Sequence, residues 1–205
     1  ACGDCSVQSN CLSIDPKPTS HGNKRQINQS TCTHNFSCVN GFCHSFITLN
    51  GAPLSKPQVR EQKFDVATLP EPNLPKLDHA YGLVITGVGG TGVLTVGALL
   101  GMAAHLEQKG VTVLDMTGLA QKGGSVFSHV QIAASPDKIH ATRIATGEAD
   151  LLLGCDAIVA GSVEALSKLQ KGVSHAVVNR APIPSAEFIT NADWSFPSGS
   201  IEREL

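Results

Sequence analysis

The stretch Tyr81-Gly-Leu-Val-Ile-Thr-Gly87-Val88-Gly89-Gly90-Thr91-Gly92 decides the fold. Its first six residues form a short apolar, β-branched run. Strands buried on both faces read this way, because helices pack on each side of a parallel sheet. The last six have G-x-G-x-x-G spacing, directly after the strand and directly before a helical pattern, which is the context that gives such spacing meaning. Glycine permits positive φ and close backbone approach, and the free N–H groups of a helix N-terminus suit an anion. Val93, not Lys, follows Gly92, so this is not a P-loop. Three readings stay open: a tight turn or partner-docking loop, a site for a small anionic ligand, and a NAD site.

Downstream, residues 91–109 change period. Leu94, Ala98, Met102 and Leu106 fall four apart, with Leu99 and Ala103 beside them, giving one apolar stripe of the kind a helix lays on a core. Gly97 and Gly101 allow close helix–sheet contact, and Gly110 is read as the helix C-cap. Residues 111–115 are the next strand, completing a right-handed βαβ unit. Asp115 at its end stands where a dinucleotide fold keeps its ribose-binding acid. In 125–132, Val126, Ser128, Val130 and Ile132 take one side and Phe127, His129 and Gln131 the other, as in a two-faced, antiparallel strand. Residues 139–144 are expected to pair with it across the turn at Ser135-Pro136-Asp137. Residues 150–153 read as a buried strand and 175–179 as another. Between them, 156–170 reads as a helix with Val159, Val163, Leu166 and Leu169 inward and Lys168 and Lys171 near its C-terminus. Pro182 and Pro184 then break regular structure. The sum is an α/β fold: a three-layer α/β/α Rossmann-like domain with a mixed, mostly parallel sheet.

A second loop, Thr117-Gly-Leu-Ala-Gln121-Lys122-Gly123-Gly124-Ser125, leaves the second strand at its carboxyl end, the edge where doubly wound folds host ligands. It sets an amide, a cation and a hydroxyl beside two glycines. A solvated Gly-Gly turn and a site for an acidic group both fit.

The 205 residues divide into zones. Residues 1–50 are rich in Cys, Asn and Ser. Residues 51–79 hold Pro53, Pro57, Pro70, Pro72 and Pro75 and read as an extended linker. Residues 80–198 form the α/β domain, and 199–205 read as the start of a region that continues further. Cys2 lies inside a cysteine motif and the chain does not begin with Met, so a piece of a longer chain is expected. Net charge is −2 and aromatic residues make up 4%, which argues against nucleic-acid partners. No apolar run is long enough for a membrane span. No signal-peptide pattern is visible near Ala1, and a cytoplasmic location is expected.

Six of the seven cysteines precede residue 44: Cys2-x2-Cys5-x5-Cys11 and Cys32-x5-Cys38-x4-Cys43. Iron–sulfur clusters take short, uneven spacings of this kind with a distal fourth ligand. Zinc usually takes two tight pairs, and only one C-x2-C exists. Disulfides suit small secreted domains. All three stay open on spacing alone. His34 and His44 read as surface histidines. Cys155 reads as a core thiol.

Cys2-Gly-Asp-Cys5-Ser-Val-Gln-Ser-Asn-Cys11, Phe36-Ser-Cys38 and Gly41-Phe-Cys43 resemble the ferredoxin-like segment of indolepyruvate ferredoxin oxidoreductases. Gly87-Val-Gly-Gly-Thr-Gly92, Gln121-Lys-Gly-Gly124 and Ile139-His-Ala-Thr-Arg143 resemble their γ-type catalytic domain. The chain is most similar to the fused bacterial form, in which thiamine-binding domains precede this stretch and a helical region follows. That form has one more cysteine ahead of the position of Cys2, giving C-x2-C-x2-C-x5-C.

The resemblance implies an irregular ferredoxin-like segment whose Cys2, Cys5, Cys11, Cys32, Cys38 and Cys43 are ligands for a [4Fe-4S] cluster. It implies that the whole enzyme oxidatively decarboxylates a 2-oxo acid, indolepyruvate or another aryl pyruvate, to acyl-CoA, with electrons passing to ferredoxin. Gly87, Gly89, Gly90, Thr91 and Gly92, with Gln121, Lys122, Gly123, Gly124 and Ser125, would meet the neighbouring thiamine-binding domain and coenzyme A. No G-D-G thiamine motif is present, since Gly3-Asp4 runs into Cys5. Thiamine diphosphate and Mg therefore belong to other domains, no catalytic residue is assigned, and the chain alone is expected not to decarboxylate. The implied partners are ferredoxin, coenzyme A and the thiamine-binding domains, in a homo-oligomeric enzyme. The competing readings are a stand-alone NAD- or nucleotide-binding protein with a zinc-binding N-terminal arm, and a pure interaction domain.

Overall fold

A computed structural model describes residues 13–29, 32, 34–40, 50–51, 68–118, 124–181, 199–200 and 203. Its first elements are β1 (Ile14–Thr19) and β2 (Gly22–Ile27), an antiparallel hairpin closed by Ser20 and His21. Gly22 takes φ 84, the left-handed geometry that such a tight turn asks of glycine. An irregular segment was expected here from the resemblance, yet Pro16 and Pro18 both lie within β1. They are two residues apart, so both nitrogens face the same open edge of the two-stranded ribbon, where a missing N–H costs nothing. Ser37–Asn40, which carries Cys38, is a single 3-10 turn. Residues 68–79, described residues of the stretch read above as a linker, hold no strand and no α-helix.

The α/β domain is built from β3 (Tyr81–Val88), α1 (Val93–Leu106), β4 (Gly110–Thr117), β5 (Ser125–Ala133), β6 (Leu151–Gly154), α2 (Ala157–Ala160), α3 (Val163–Leu166) and β7 (His175–Val178). The five strands form one sheet in the order β4-β5-β3-β6-β7. β3, β6 and β7 are parallel neighbours, while β5 runs antiparallel to both β3 and β4. Four strands therefore point one way, and the sheet is mixed as expected. The βαβ unit differs from the expected one in that β5 lies between β3 and β4.

Alternation along β3 and β5 gives the sheet two cores. Leu83, Ile85 and Val130 pack with Val93 of α1 on one face. Val84, Phe127 and Leu152 pack with Val159 and Ala160 of α2 and Ala165 of α3 on the other. The two faces read from 125–132 are the two faces of β5.

Four expectations need correction. The stripe of α1 does not face the core: Leu99 is 66% exposed, Met102 58% and Leu106 75%, while Val93, Gly97, Gly101 and Ala104 are buried. The helix turns its small side inward because this brings its axis close to the sheet. A Cβ on Gly97 would lie 2.5 Å from Ser128 Oγ, and one on Gly101 2.9 Å from Val113 Cγ2. Second, Gly110 is not the C-cap. The helix closes at Glu107, Gln108 takes the left-handed φ of 58, and Gly110 opens β4 against the backbone of Ser135. Third, 139–144 is not a strand. Side chains of β5 hold it instead: Gln131 Nε2 donates to the Ala141 carbonyl at 2.7 Å, and the Ile144 N–H donates to His129 Nδ1 at 3.2 Å. Fourth, 156–170 is two one-turn helices. Asp156 caps Val159 and Ser162 caps Ala165, so the chain restarts after Gly161. Val163 is 86% exposed, whereas Lys168 is buried. Pro182, Pro184 and most of 199–205 lie outside the described residues.

Candidate functional site

The glycine loop joins β3 to α1 at the carboxyl edge of the sheet. Its glycines do different work. Gly90 and Gly92 take φ 99 and 91, a backbone region that side-chain-bearing residues rarely adopt, and their outward faces are open. Gly87 is needed for space: a Cβ there would crowd Thr91 Oγ1, lie 2.7 Å from Val93 Cγ2 and 3.0 Å from Cys155 Cβ.

Thr91 closes the turn twice on one carbonyl. Its N–H donates to Val88 O at 3.0 Å and its hydroxyl to the same oxygen at 2.7 Å. The Gly89 N–H is committed as well, donating to Gly124 O at 2.8 Å. Among the described residues nothing accepts from the N–H groups of Gly90 and Gly92. Gly92 is the N-cap of the 14-residue α1 and has no side chain to cap it, and no acid stands in the first turn. The uncapped first-turn amides and the helix dipole leave positive potential at this edge.

Of the second loop, Gly124 and Ser125 are described. Ser125 opens β5 opposite Val88, so both loops emerge side by side. Gln121, Lys122 and Gly123 lie outside the described residues. Cys155 directly follows β6. Its N–H donates to Thr86 O at 2.8 Å and its carbonyl accepts from Asn179 Nδ2 at 3.2 Å. The thiol is half-buried beside the loop rather than deep in the core. Burial, and then the neighbouring Asp156 charge, push it above the ordinary thiol range, while Thr91 works the other way.

Asp115 is exposed on β4, with β5 intervening before β3. At about 4.8 Å per strand spacing β4 lies roughly 10 Å from β3, one strand further out than the neighbouring strand on which a dinucleotide fold keeps its ribose-binding acid. The inserted strand thus removes the residue on which the NAD reading relied.

Sequence reasoning missed Asp156. An acidic residue between a strand and a helical run is a recognisable N-cap signal, but its second bond, to Val88 across the sheet edge, has no sequence signature.

Of the six cysteines read as ligands, Cys32 and Cys38 are described. Among the described residues no two cysteines are bridged, and no group of three or more metal-ligating side chains converges. Cys2, Cys5, Cys11 and Cys43 lie outside them. The His34 N–H donates to Cys32 Sγ at 3.4 Å. Between the two cysteines His34 and Phe36 take φ 53 and 57, and their rings stack with centroids 6.3 Å apart.

Sheet order and loops together define an α/β domain that presents an uncapped helix N-terminus at a two-loop edge. Residues 82–195 match the pyruvate ferredoxin/flavodoxin oxidoreductase family, and the chain belongs to it. Its relatives include indolepyruvate oxidoreductase subunit IorB of Methanothermobacter thermautotrophicus, 33% identical over 104 residues, 51% of this chain and 50% of the relative. Subunit IorB of Pyrococcus horikoshii is 35% identical over 107 residues, 52% of this chain and 50% of the relative. The chain spans about half the length of these curated relatives. Among solved structures, pyruvate oxidoreductase subunit PORC of Thermotoga maritima superposes with a TM-score of 0.41 at 18% identity, covering 54% of this chain and 55% of that one.

Proposed function

We propose that this chain supplies the γ-type domain and cluster-ligating thiols of an enzyme that converts a 2-oxo acid and coenzyme A to acyl-CoA and CO2. Two electrons leave one at a time for ferredoxin. Indolepyruvate, or another aryl pyruvate, is the substrate this reading favours, as the names of the IorB relatives support. The observation that carries it is the open amide edge at Gly90, Gly92 and the first turn of α1, bordered by the second loop.

The open N–H groups and the Lys122 ammonium meet phosphate or acyl oxygens, and the loops face the thiamine-binding domain of the same enzyme. Thiamine diphosphate and Mg are held by that domain. The fused arrangement follows on this reading, with the cysteine segment preceding the family-matched stretch in one chain.

The cysteines suit an iron–sulfur cluster chemically: thiolates are its protein ligands, and N–H groups donated to ligating sulfurs tune its potential. Cys32 already accepts such a bond from His34. The four thiolates that would hold a [4Fe-4S] cluster, which when bound relays single electrons, come from Cys2, Cys5, Cys11, Cys32, Cys38 and Cys43, with two thiols to spare. The enzyme acts in the cytoplasm on this reading; among the described residues no helix is long and apolar enough to cross a membrane.

Two measurements test the reading. Protein purified without oxygen should contain iron and acid-labile sulfide, and should lose both in Cys32→Ser and Cys38→Ser. Colourless protein carrying zinc overturns the cluster. In the assembled enzyme Lys122→Ala should raise the coenzyme A KM. Unchanged KM and turnover overturn the ligand-facing loops.

A further inference from the structure

Asp156 is completely buried, at 0% exposure, in the turn between β6 and α2. Its two carboxylate oxygens are divided between two tasks. Oδ1 accepts the Val159 N–H at 2.9 Å and caps α2. Oδ2 accepts the Val88 N–H at 2.5 Å, from a residue 68 positions away.

Capping alone does not account for a buried carboxylate. One oxygen satisfies a cap, and Ser162 does the same for α3 with a neutral hydroxyl, at 3.3 Å. The second oxygen is explained by where β6 stops. In the parallel ladder Thr86 pairs with Gly154, so Val88 falls opposite position 156, beyond the end of the strand. The Asp156 side chain supplies the acceptor that the strand no longer offers.

Val88 lies between Gly87 and Gly89, where backbone freedom is greatest. Its N–H is held by Asp156 and its carbonyl by both donors of Thr91. The peptide from which the glycine loop springs is therefore fixed at both polar ends. We propose that Asp156 is a positioning residue: by clamping Val88 it sets the conformation of the glycine loop and the aim of the Gly90 and Gly92 amides. Its consequence for binding rests on the ligand-facing reading of that loop given above.

The test separates the clamp from the cap. In the full chain within its assembled enzyme, Asp156→Ser keeps a good N-cap for Val159 but is too short for Val88. Asp156→Asn, isosteric, keeps one oxygen and turns an NH2 donor toward an N–H donor, which covers the case in which the Ser variant fails to assemble. Hydrogen exchange at the bonded amides within 88–92, those of Val88, Gly89 and Thr91, should accelerate about tenfold in both, matching the loss of one hydrogen bond to a charged group. The coenzyme A KM should rise by a similar factor with kcat within about twofold, the signature of lost binding rather than lost chemistry. Wild-type exchange across 88–92 in either variant would show that Asp156 is a cap only and overturn the proposal. Faster exchange with an unchanged KM upholds the clamp and overturns the ligand-facing reading instead.

Discussion

Gly89 donates its amide hydrogen to the carbonyl of Gly124 at 2.8 Å, which ties the loop after β3 to the loop before β5. The bond is backbone to backbone and needs no side chain from either loop. It commits one of the loop's amides, while among the described residues those of Gly90 and Gly92 have no acceptor.

The glycines of this loop should respond differently to the same change. Gly87→Ala places a methyl against Thr91, Val93 and Cys155 and should cost about 2 kcal/mol of stability, the range of core overpacking. Gly90→Ala meets open space and bears only its left-handed backbone, about 1 kcal/mol. Urea unfolding of the two variants checks the order; a larger loss at position 90 contradicts it.

The outward face of α1 makes a second prediction. Leu99→Gln should change stability by no more than about 0.5 kcal/mol, because the side chain is largely in solvent. Gly97→Ala favours the helix intrinsically, yet it should lose about 1 to 2 kcal/mol against Ser128. Thermal melts of both variants decide the matter; if the Leu99 change is the costly one, the helix faces the other way.

A third concerns acid. His129 is fully buried, and Nδ1 accepts the Ile144 N–H. Burial first, then the Lys168 and Arg143 charges, hold it below its ordinary value of 6.5, with Glu164 opposing. The unfolded chain therefore binds this proton at a higher pH than the folded one. Above about pH 6.5 the group adds no pH dependence. As pH falls from there toward the depressed folded value, stability drops by up to about 1.4 kcal/mol per unit. The difference between wild type and His129→Gln, followed by urea unfolding from pH 8 to pH 5, should be flat above about pH 7 and shrink below it. A constant difference across that range contradicts the assignment.

Cys155 yields a fourth. With its thiol pushed up by burial and by Asp156, it should be alkylated by iodoacetamide more slowly than a free thiol at neutral pH. Thr91→Val removes the interaction that opposes the shift and should slow labelling further. Mass spectrometry of the labelled peptide measures both rates; a fast reaction at neutral pH would contradict this environment.

Much of the architecture was legible in the chain itself. The apolar run 81–86 and the alternation of 125–132 carry their strand identity in their periods, and the glycine loop was placed correctly between strand and helix. What was not legible came from tertiary balance. In α1 nearly every residue is apolar, so periodicity could not say which side is in; the glycines decided it by allowing close approach. The segment expected to be irregular holds a hairpin whose first strand carries Pro16 and Pro18, which an all-edge ribbon tolerates. The break at Gly161 was hidden because Val159, Val163 and Leu166 keep helical spacing across it. At the candidate site, spacing revealed the loop glycines. Asp156 escaped because half of its role is a bond to a residue on another strand.

The order β4-β5-β3 has a consequence for how the domain forms. After β3 and α1, the chain lays down β4 before the strand that must lie between them exists. The hairpin of β4 and β5 has a short local connection and can form in microseconds, whereas its docking along β3 closes a much longer loop and comes later. The turn of that early hairpin is the second glycine loop. Substitutions at residues 118–124 should therefore also change the refolding rate, which stopped-flow refolding of such variants measures.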